Sequence, residues 1–180
     1  MEKIETPFQD LYILKPKVFR DHRGFLYESY NQKVFQNLGI TTVFLQENHS
    51  HSVKNTIRAL HFQKIPPQIK LVWAATGKIW DVALDIRPDS KTFGKWFGQE
   101  LSEENRLMLY IPEGFAHGFC TLSDKADVIY KLSSLYNPKT ECGIIWNDPD
   151  INIKWPIENP ILSDRDKNNP TFKTFLDGFN

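Results

Sequence analysis

The stretch from Lys78 to Arg87 constrains this chain most. There Trp80, Val82, Leu84 and Ile86 alternate with Asp81, Ala83, Asp85 and Arg87, the period of two required by a strand buried on one face. Gly77, directly before it, suits a hairpin turn back to the run from Lys70 through Ala75, which carries Leu71, Val72 and Trp73. Further strands are expected from Leu11 to Val18, Gly24 to Tyr30, Thr42 to Gln46, Thr56 to Gln63, Leu107 to Ile111, Phe115 to Leu122 and Asp127 to Leu135. One short helix fits Gln32 to Leu38, with Val34, Phe35 and Leu38 on one face and Gly39 as its stop. Beyond Asn137, Pro138, Pro149, Pro156, Pro160 and Pro170 interrupt any regular element, so turns and short helical pieces laid against the sheets are expected. Many short antiparallel strands with exposed edges to hide imply an all-β fold. A jelly-roll sandwich or barrel satisfies both conditions, with a few short helices, mostly C-terminal.

A chain of 180 residues is one domain's worth, so a single domain over 1–180 is expected. Its 22 basic residues cancel its 22 acidic ones, which leaves no field of one sign to hold a nucleic-acid backbone or an anionic membrane surface. Charges at Glu2, Lys3 and Glu5 stand where a signal peptide would be apolar, and no apolar run reaches membrane-spanning length. A cytoplasmic protein is expected. Cys120 and Cys142 are too few and too far apart for a disulfide framework or a zinc knuckle, and read as reduced core thiols.

Four of the five histidines fall in two polar stretches, Gln46 to Gln63 and Pro112 to Phe119. His49 and His51, at i and i+2, would face the same way on a strand and could pair with His61 and His117 around a metal. No suitably spaced carboxylate follows His61, however, and the flanking Asn48, Ser50 and Ser52 favour a polar loop. No metal is expected. Alternation sends Leu60 and Phe62 to one face and His61 to the other with Ala59 and Gln63, so His61 is either a hydrogen-bonded interior histidine or a general base in a barrel mouth. Strict alternation also puts Arg58 opposite His61; a site that used both would need a bulge or a strand end. Lys70 is either an edge charge or an ammonium beside a developing oxyanion, and Tyr130, in phase with Val128 and Leu132, is either a core tyrosine or a proton donor.

Taken in order, several motifs resemble the dTDP-4-dehydrorhamnose 3,5-epimerases, a family of jelly-roll cupins. They are Phe19-Arg20-Asp21-His22-Arg23-Gly24-Phe25 with Glu28, Gln46-Glu47-Asn48-His49-Ser50, Arg58-Ala59-Leu60-His61-Phe62-Gln63 with Lys70, Pro112-Glu113-Gly114-Phe115-Ala116-His117-Gly118-Phe119, Tyr130-Lys131 and Leu162-Ser163-Asp164-Arg165-Asp166. The resemblance covers nearly the whole chain. It implies an isomerase that inverts C3 and C5 of a dTDP-linked 4-keto sugar, with His61 as base, Asp166 as the carboxylate that orients it, Tyr130 as acid and Lys70 beside the C4 oxygen. It further implies that Arg23, Glu28, Gln46, Asn48, Arg58, His117, Tyr136 and Glu141 bind nucleotide and sugar, that no cofactor is used, and that the chain is a homodimer. Such chemistry needs only one base and one acid, because both inverted carbons adjoin the same carbonyl.

Two departures stand out: Ala59 where the family usually has Gly, expected to tighten the backbone approach or narrow the pocket, and Arg165 where it usually has Lys. They leave room for an epimerase of one centre, a ketoisomerase, or a non-catalytic sugar-binding cupin.

Overall fold

From Gln46 onward the chain passes back and forth between two sheets, so strands adjacent in sequence are rarely adjacent in space. The structure, a computed structural model, describes residues 1–177; the last residues of the expected domain, 178–180, lie outside the described residues. Strands β1 (Glu2–Glu5), β2 (Tyr12–Lys15), β3 (Val18–Asp21) and β4 (Gly24–Tyr27) precede helix α1 (Gln32–Asn37). There follow β5 (Gln46–Val53), β6 (Ile57–Gln63), β7 (Lys70–Thr76), β8 (Lys78–Asp85), β9 (Trp96–Ser102), β10 (Met108–Ile111), β11 (Phe115–Thr121), β12 (Lys125–Leu132) and β13 (Glu141–Gly143), then α2 (Asp164–Lys167) and α3 (Phe172–Asp177). A six-stranded sheet has the order β1-β2-β10-β7-β12-β5 and a five-stranded sheet the order β13-β6-β11-β8-β9, while β3 and β4 form a separate hairpin. Two antiparallel sheets face each other as a sandwich, as expected.

Strand phase explains the layering. On β7, Val72 and Ala74 join Ile79 and Ala83 of β8 in the core between the sheets, with Leu101, Leu109, Phe115 and Val128. The other phase of β7, Leu71 and Trp73, packs outward under Phe35 of α1 and Ile40. Val82 and Leu84 of β8 pack outward under Ile144, Ile151, Ile153, Phe172 and Phe175 of the C-terminal segment. Both faces of each central strand are therefore covered. The period of two in Lys78 to Arg87 does not mark a half-exposed strand: Asp81 and Asp85 are as buried as Val82 and Leu84.

Gly77 differs from expectation too. Strands β7 and β8 do not pair, and belong to different sheets; Gly77 carries the chain across the sandwich rather than around a hairpin. It does so with φ at +71°, where a Cβ would overlap the backbone carbonyl of Lys125. The segment from Thr42 to Leu45 is not a strand. β5 starts at Gln46 and continues through His49 and His51, which lie on an edge strand with alternating exposure and not in a polar loop. Strands β1, β3, β9 and β13 were not legible in the sequence, and the strand expected from Leu11 to Val18 ends at Lys15. On β9 the apolar phase is broken by Gly98, whose missing side chain makes room for the Trp80 indole. The helix matches expectation: Asn31 caps it by accepting from Lys33 N and Val34 N, and Leu38 closes it ahead of Gly39. Among the described residues no helix is long and apolar enough to cross a membrane, and both cysteines are free, Cys120 buried and Cys142 partly so.

Replacing Gly77 by Ala is expected to cost about 1 to 3 kcal/mol, because both the backbone conformation and the space at the crossover exclude a side chain. Urea unfolding checks this: the midpoint falls while the slope holds.

Candidate active site

The two sheets part at one end around a cavity of about 430 Å³. From the six-stranded sheet come Lys70 of β7, Tyr130 and Leu132 of β12, and Gln46 and Asn48 of β5; from the five-stranded sheet come Arg58 and His61 of β6, His117 and Phe119 of β11, and Glu141 of β13. Tyr136 and Gln68 complete the rim.

Arg58 and His61 share this cavity because β6 carries one residue too many. His117 pairs with His61 and Phe119 with Arg58, so Ala59 and Leu60 together oppose Gly118. Both turn outward into the C-terminal core. Ala59 therefore does not follow His61 as alternation had suggested, and its methyl does not narrow the cavity. It packs on Gly118, where any Cβ would overlap it.

The C-terminal segment holds the back of His61. Ile57 N donates to Ile161 O and Ile161 N to Asn55 O, which pins the segment beside the start of β6. Ser163 then caps α2 by accepting from Asp166 N at 3.1 Å. Asp166, 3% exposed, places Oδ1 at 2.6 Å from His61 Nε2. A neutral imidazole in that bond carries its proton on Nε2, leaving the Nδ1 lone pair as the basic position.

Lys70 is almost fully buried and donates from Nζ to the backbone carbonyl of His61 at 3.1 Å. Burial pulls its ammonium down to about 8, against the opposing pull of Glu141 and Asp81. His117 Nε2 lies within hydrogen-bond distance, 2.9 Å, of Asp81 Oδ2. Burial lowers its affinity for a second proton; Asp81 raises it, and Lys70 and His61 lower it further. At the rim, Glu141 Oε2 accepts from the Tyr136 hydroxyl at 2.8 Å and from Arg165 Nη1 at 2.6 Å. Burial works against the Glu141 charge, but these two bonds prevail and hold its carboxyl below the ordinary value. Gln46 Oε1 accepts from Tyr136 N at 2.8 Å, and its Nε2 donates to Asn48 Oδ1 at 2.9 Å. Arg58 donates to Ser52 Oγ and to His51 O and has no carboxylate partner among the described residues.

Arg23 and Glu28 stand apart from this cavity within the chain. Arg23 is bound to Asp21 in the turn of the β3–β4 hairpin, and Glu28 accepts from Asn31. His49 and His51 face outward, both on Asp127 Oδ1, at 2.8 and 3.0 Å; the Thr76 hydroxyl and these two rings hold the Asp127 carboxyl well below its usual range. Among the described residues no group of three or more His, Cys, Asp or Glu is placed to hold a metal ion. Reading the residues alone missed Phe119 and Leu132, the apolar part of the lining, one from each sheet, and Asp81 behind His117. The signal for Asp81 was its phase with Ile79 and Ala83, which face the core.

A profile of the dTDP-4-dehydrorhamnose 3,5-epimerase family matches residues 5–174. The chain belongs to this family. It is 52% identical over 174 residues to the dTDP-4-dehydrorhamnose 3,5-epimerase of Shigella flexneri, covering 96% of each chain. The Bacillus anthracis dTDP-4-dehydrorhamnose 3,5-epimerase, solved with TDP and PPi bound, superposes with a TM-score of 0.93 at 47% identity over 95% of this chain and 99% of that one. The Legionella pneumophila epimerase, solved in complex with dTDP-4-keto-L-rhamnose, superposes with a TM-score of 0.93 at 43% identity over 96% of this chain and 93% of that one.

A buried ammonium that must shed much of its hydration weakens the fold. Lys70→Met is expected to stabilise the protein by about 1 to 3 kcal/mol at neutral pH. Below about 8 the lysine is charged in both folded and unfolded chains, and the native state bears the burial penalty; between about 8 and the ordinary value of 10.5 the native amine discharges first. The advantage of Lys70→Met should therefore shrink across that window, as chemical unfolding at a series of pH values would register.

Proposed function

We propose that the chain epimerises C3 and C5 of dTDP-4-dehydro-6-deoxy-D-glucose to give dTDP-4-dehydro-L-rhamnose, with His61 as base and Tyr130 as acid. The observation that carries this reading is that the two side chains reach one cavity from opposite sheets. A sugar ring held between them would have a base on one face and a phenol on the other. Family membership and the epimerases to which the chain is similar support the same activity.

In the proposed sequence His61 Nδ1 takes the proton from the carbon next to the C4 ketone, and the C–H electron pair moves into the carbonyl to form an enolate. Asp166 steadies the imidazolium so formed. The Lys70 ammonium lies on the cavity wall to stabilise the enolate oxygen. Tyr130 then returns a proton to the opposite face, the C4 carbonyl re-forms, and the centre is inverted. His61 gives up its proton and the phenolate regains one by exchange with solvent, after which the second carbon follows the same course. Gln46, Asn48, Arg58, His117, Tyr136 and Glu141 are proposed to hold the nucleotide and sugar, Arg58 as the guanidinium left without a carboxylate for an anionic diphosphate.

We also propose a homodimer in which the β3–β4 hairpin of one copy reaches the rim of the other's cavity. The hairpin stands outside both sheets and exposes Phe19 (56%), Phe25 (48%) and Leu26 (73%), more apolar surface than a two-stranded ribbon sustains in water. It carries Arg23, which its own cavity does not use. β5, with Gln46 and Asn48, is the open edge of the six-stranded sheet. A cytosolic location is proposed with it, in keeping with two free thiols.

Turnover in D₂O followed by NMR should show deuterium entering both C3 and C5, and His61→Ala should slow both by about 100- to 10,000-fold with the fold intact. Uptake at one carbon alone would select a single-centre epimerase; none at all would leave a sugar binder. Mixing Arg23→Ala and His61→Ala chains tests the shared site. Each is impaired alone, and mixed dimers should recover activity at the cavity that retains both native residues, whereas sites built within one chain would recover nothing.

A further inference from the structure

Strand β8 places two carboxylates, Asp81 and Asp85, on the inner side of the five-stranded sheet, and both are wholly buried. Asp85 is saturated. Its oxygens accept from Arg87 N, Nε and Nη2, and from the hydroxyls of Ser90 and Thr92, so it serves as the anchor of the loop after β8. Asp81 is treated differently by the fold. Oδ2 meets His117 Nε2 at 2.9 Å, and Oδ1 is buried with no hydrogen-bond partner among the described residues.

A buried carboxylate with an unused acceptor is costly to the fold, and Asp81 orders no loop in return. What it does touch is cavity chemistry. Its one bonded partner, His117, lines the cavity, and its charge acts on Lys70 there. We infer that Asp81 is a positioning residue for the epimerisation, fixing the His117 ring with Nε2 as the donor and supplying the buried negative charge that accompanies the Lys70 ammonium. The inference rests on the functional reading proposed above.

With Nε2 committed to Asp81, Nδ1 is the ring nitrogen of His117 left to meet a ligand. Besides Lys70, the other titratable or charged groups that share the cavity are Arg58 and His61 of β6, Glu141 of β13, Tyr130 of β12 and Tyr136 at the rim. Glu141 supports the Lys70 charge in the same direction as Asp81. His61 and Lys70 oppose a second proton on His117, and Asp81 favours it. Lys70 sits near 8 with both carboxylates in place, so losing either carboxylate brings the ammonium toward discharge at working pH. His117 loses its orientation at the same time.

The isosteric variant Asp81→Asn tests this through the pH dependence of kcat/KM and through kcat with saturating dTDP-4-keto sugar. The expected result is a kcat loss of about 100-fold, with the alkaline limb of kcat/KM moved to lower pH by about one unit. In a His117→Asn background the same change should cost far less in kcat while the limb still moves, because the two charges are coupled through different partners. A purely structural aspartate would lower activity in step with the folded fraction and leave the limb unmoved; that outcome overturns the inference. If Asp81→Asn does not fold, ¹⁵N-histidine NMR of the ligand-free native protein decides. A proton on His117 Nε2 with Nδ1 bare is expected, and the opposite tautomer overturns the assignment. That spectrum needs no substrate, so it separates a failure here from a wild-type chain that proves not to be an epimerase.

Discussion

Where β6 crosses β11, His61 stands opposite His117 and Arg58 opposite Phe119, so four residues of one strand match three of the other. The surplus falls on Ala59 and Leu60, joined by a cis peptide, and both side chains are absorbed by the apolar cluster under the C-terminal segment. Gly118 admits this because it has no side chain to meet Ala59. Were the alternation unbroken, either the guanidinium or the imidazole would point into that apolar cluster, where an unpaired charge is untenable. The irregularity thus brings a cation and a base into one enclosure, and the rest of the cavity is arranged around them.

That enclosure is polar in a place where sandwiches are ordinarily filled with hydrocarbon. Farther along the same inner faces, Val72, Ala74, Ile79, Ala83 and Val128 make an apolar core; at the open end β7 and β12 present Lys70 and Tyr130, and on β8 Asp81 interrupts the apolar run between Ile79 and Ala83, behind His117. Buried ionisable groups of this kind destabilise a fold in exchange for electrostatics that water would screen away. The structure contains the cost by spreading each charge over neighbours: Asp166 on His61, Asp81 on His117, Arg165 and Tyr136 on Glu141. Arg165 and Asp166 are consecutive in one short helix. The order of the C-terminal segment and the order of the site are therefore one property, since docking α2 fixes both the imidazole and the rim.

Much of this was written plainly in the chain. Period-two runs located most of the strands, Gly39 marked the end of the helix, and prolines marked the irregular end. Alternation failed where one face does not mean outside. Both phases of β8 are buried because the C-terminal segment covers one and the opposite sheet the other, so Asp81 and Asp85 looked like surface residues. Local pattern says nothing about which sheet a strand joins: Gly77 suits a hairpin by sequence, yet the chain changes sheets there. The bulge that unites Arg58 with His61 depends on the partner strand, which a single segment does not reveal. Arg23 and Glu28 mark the other limit: in one chain they lie away from the cavity, and a site completed by a second copy has no signature in local spacing.

The central claim is geometric, that a keto-sugar ring sits between an imidazole from one sheet and a phenol from the other. A crystal structure of the protein with a bound dTDP-6-deoxyhexose tests it most directly. The account predicts His61 Nδ1 and the Tyr130 hydroxyl on opposite faces of the hexose, with the C4 oxygen toward Lys70 Nζ. A hexose bound outside the space between these side chains, or with both groups on the same face, would contradict it.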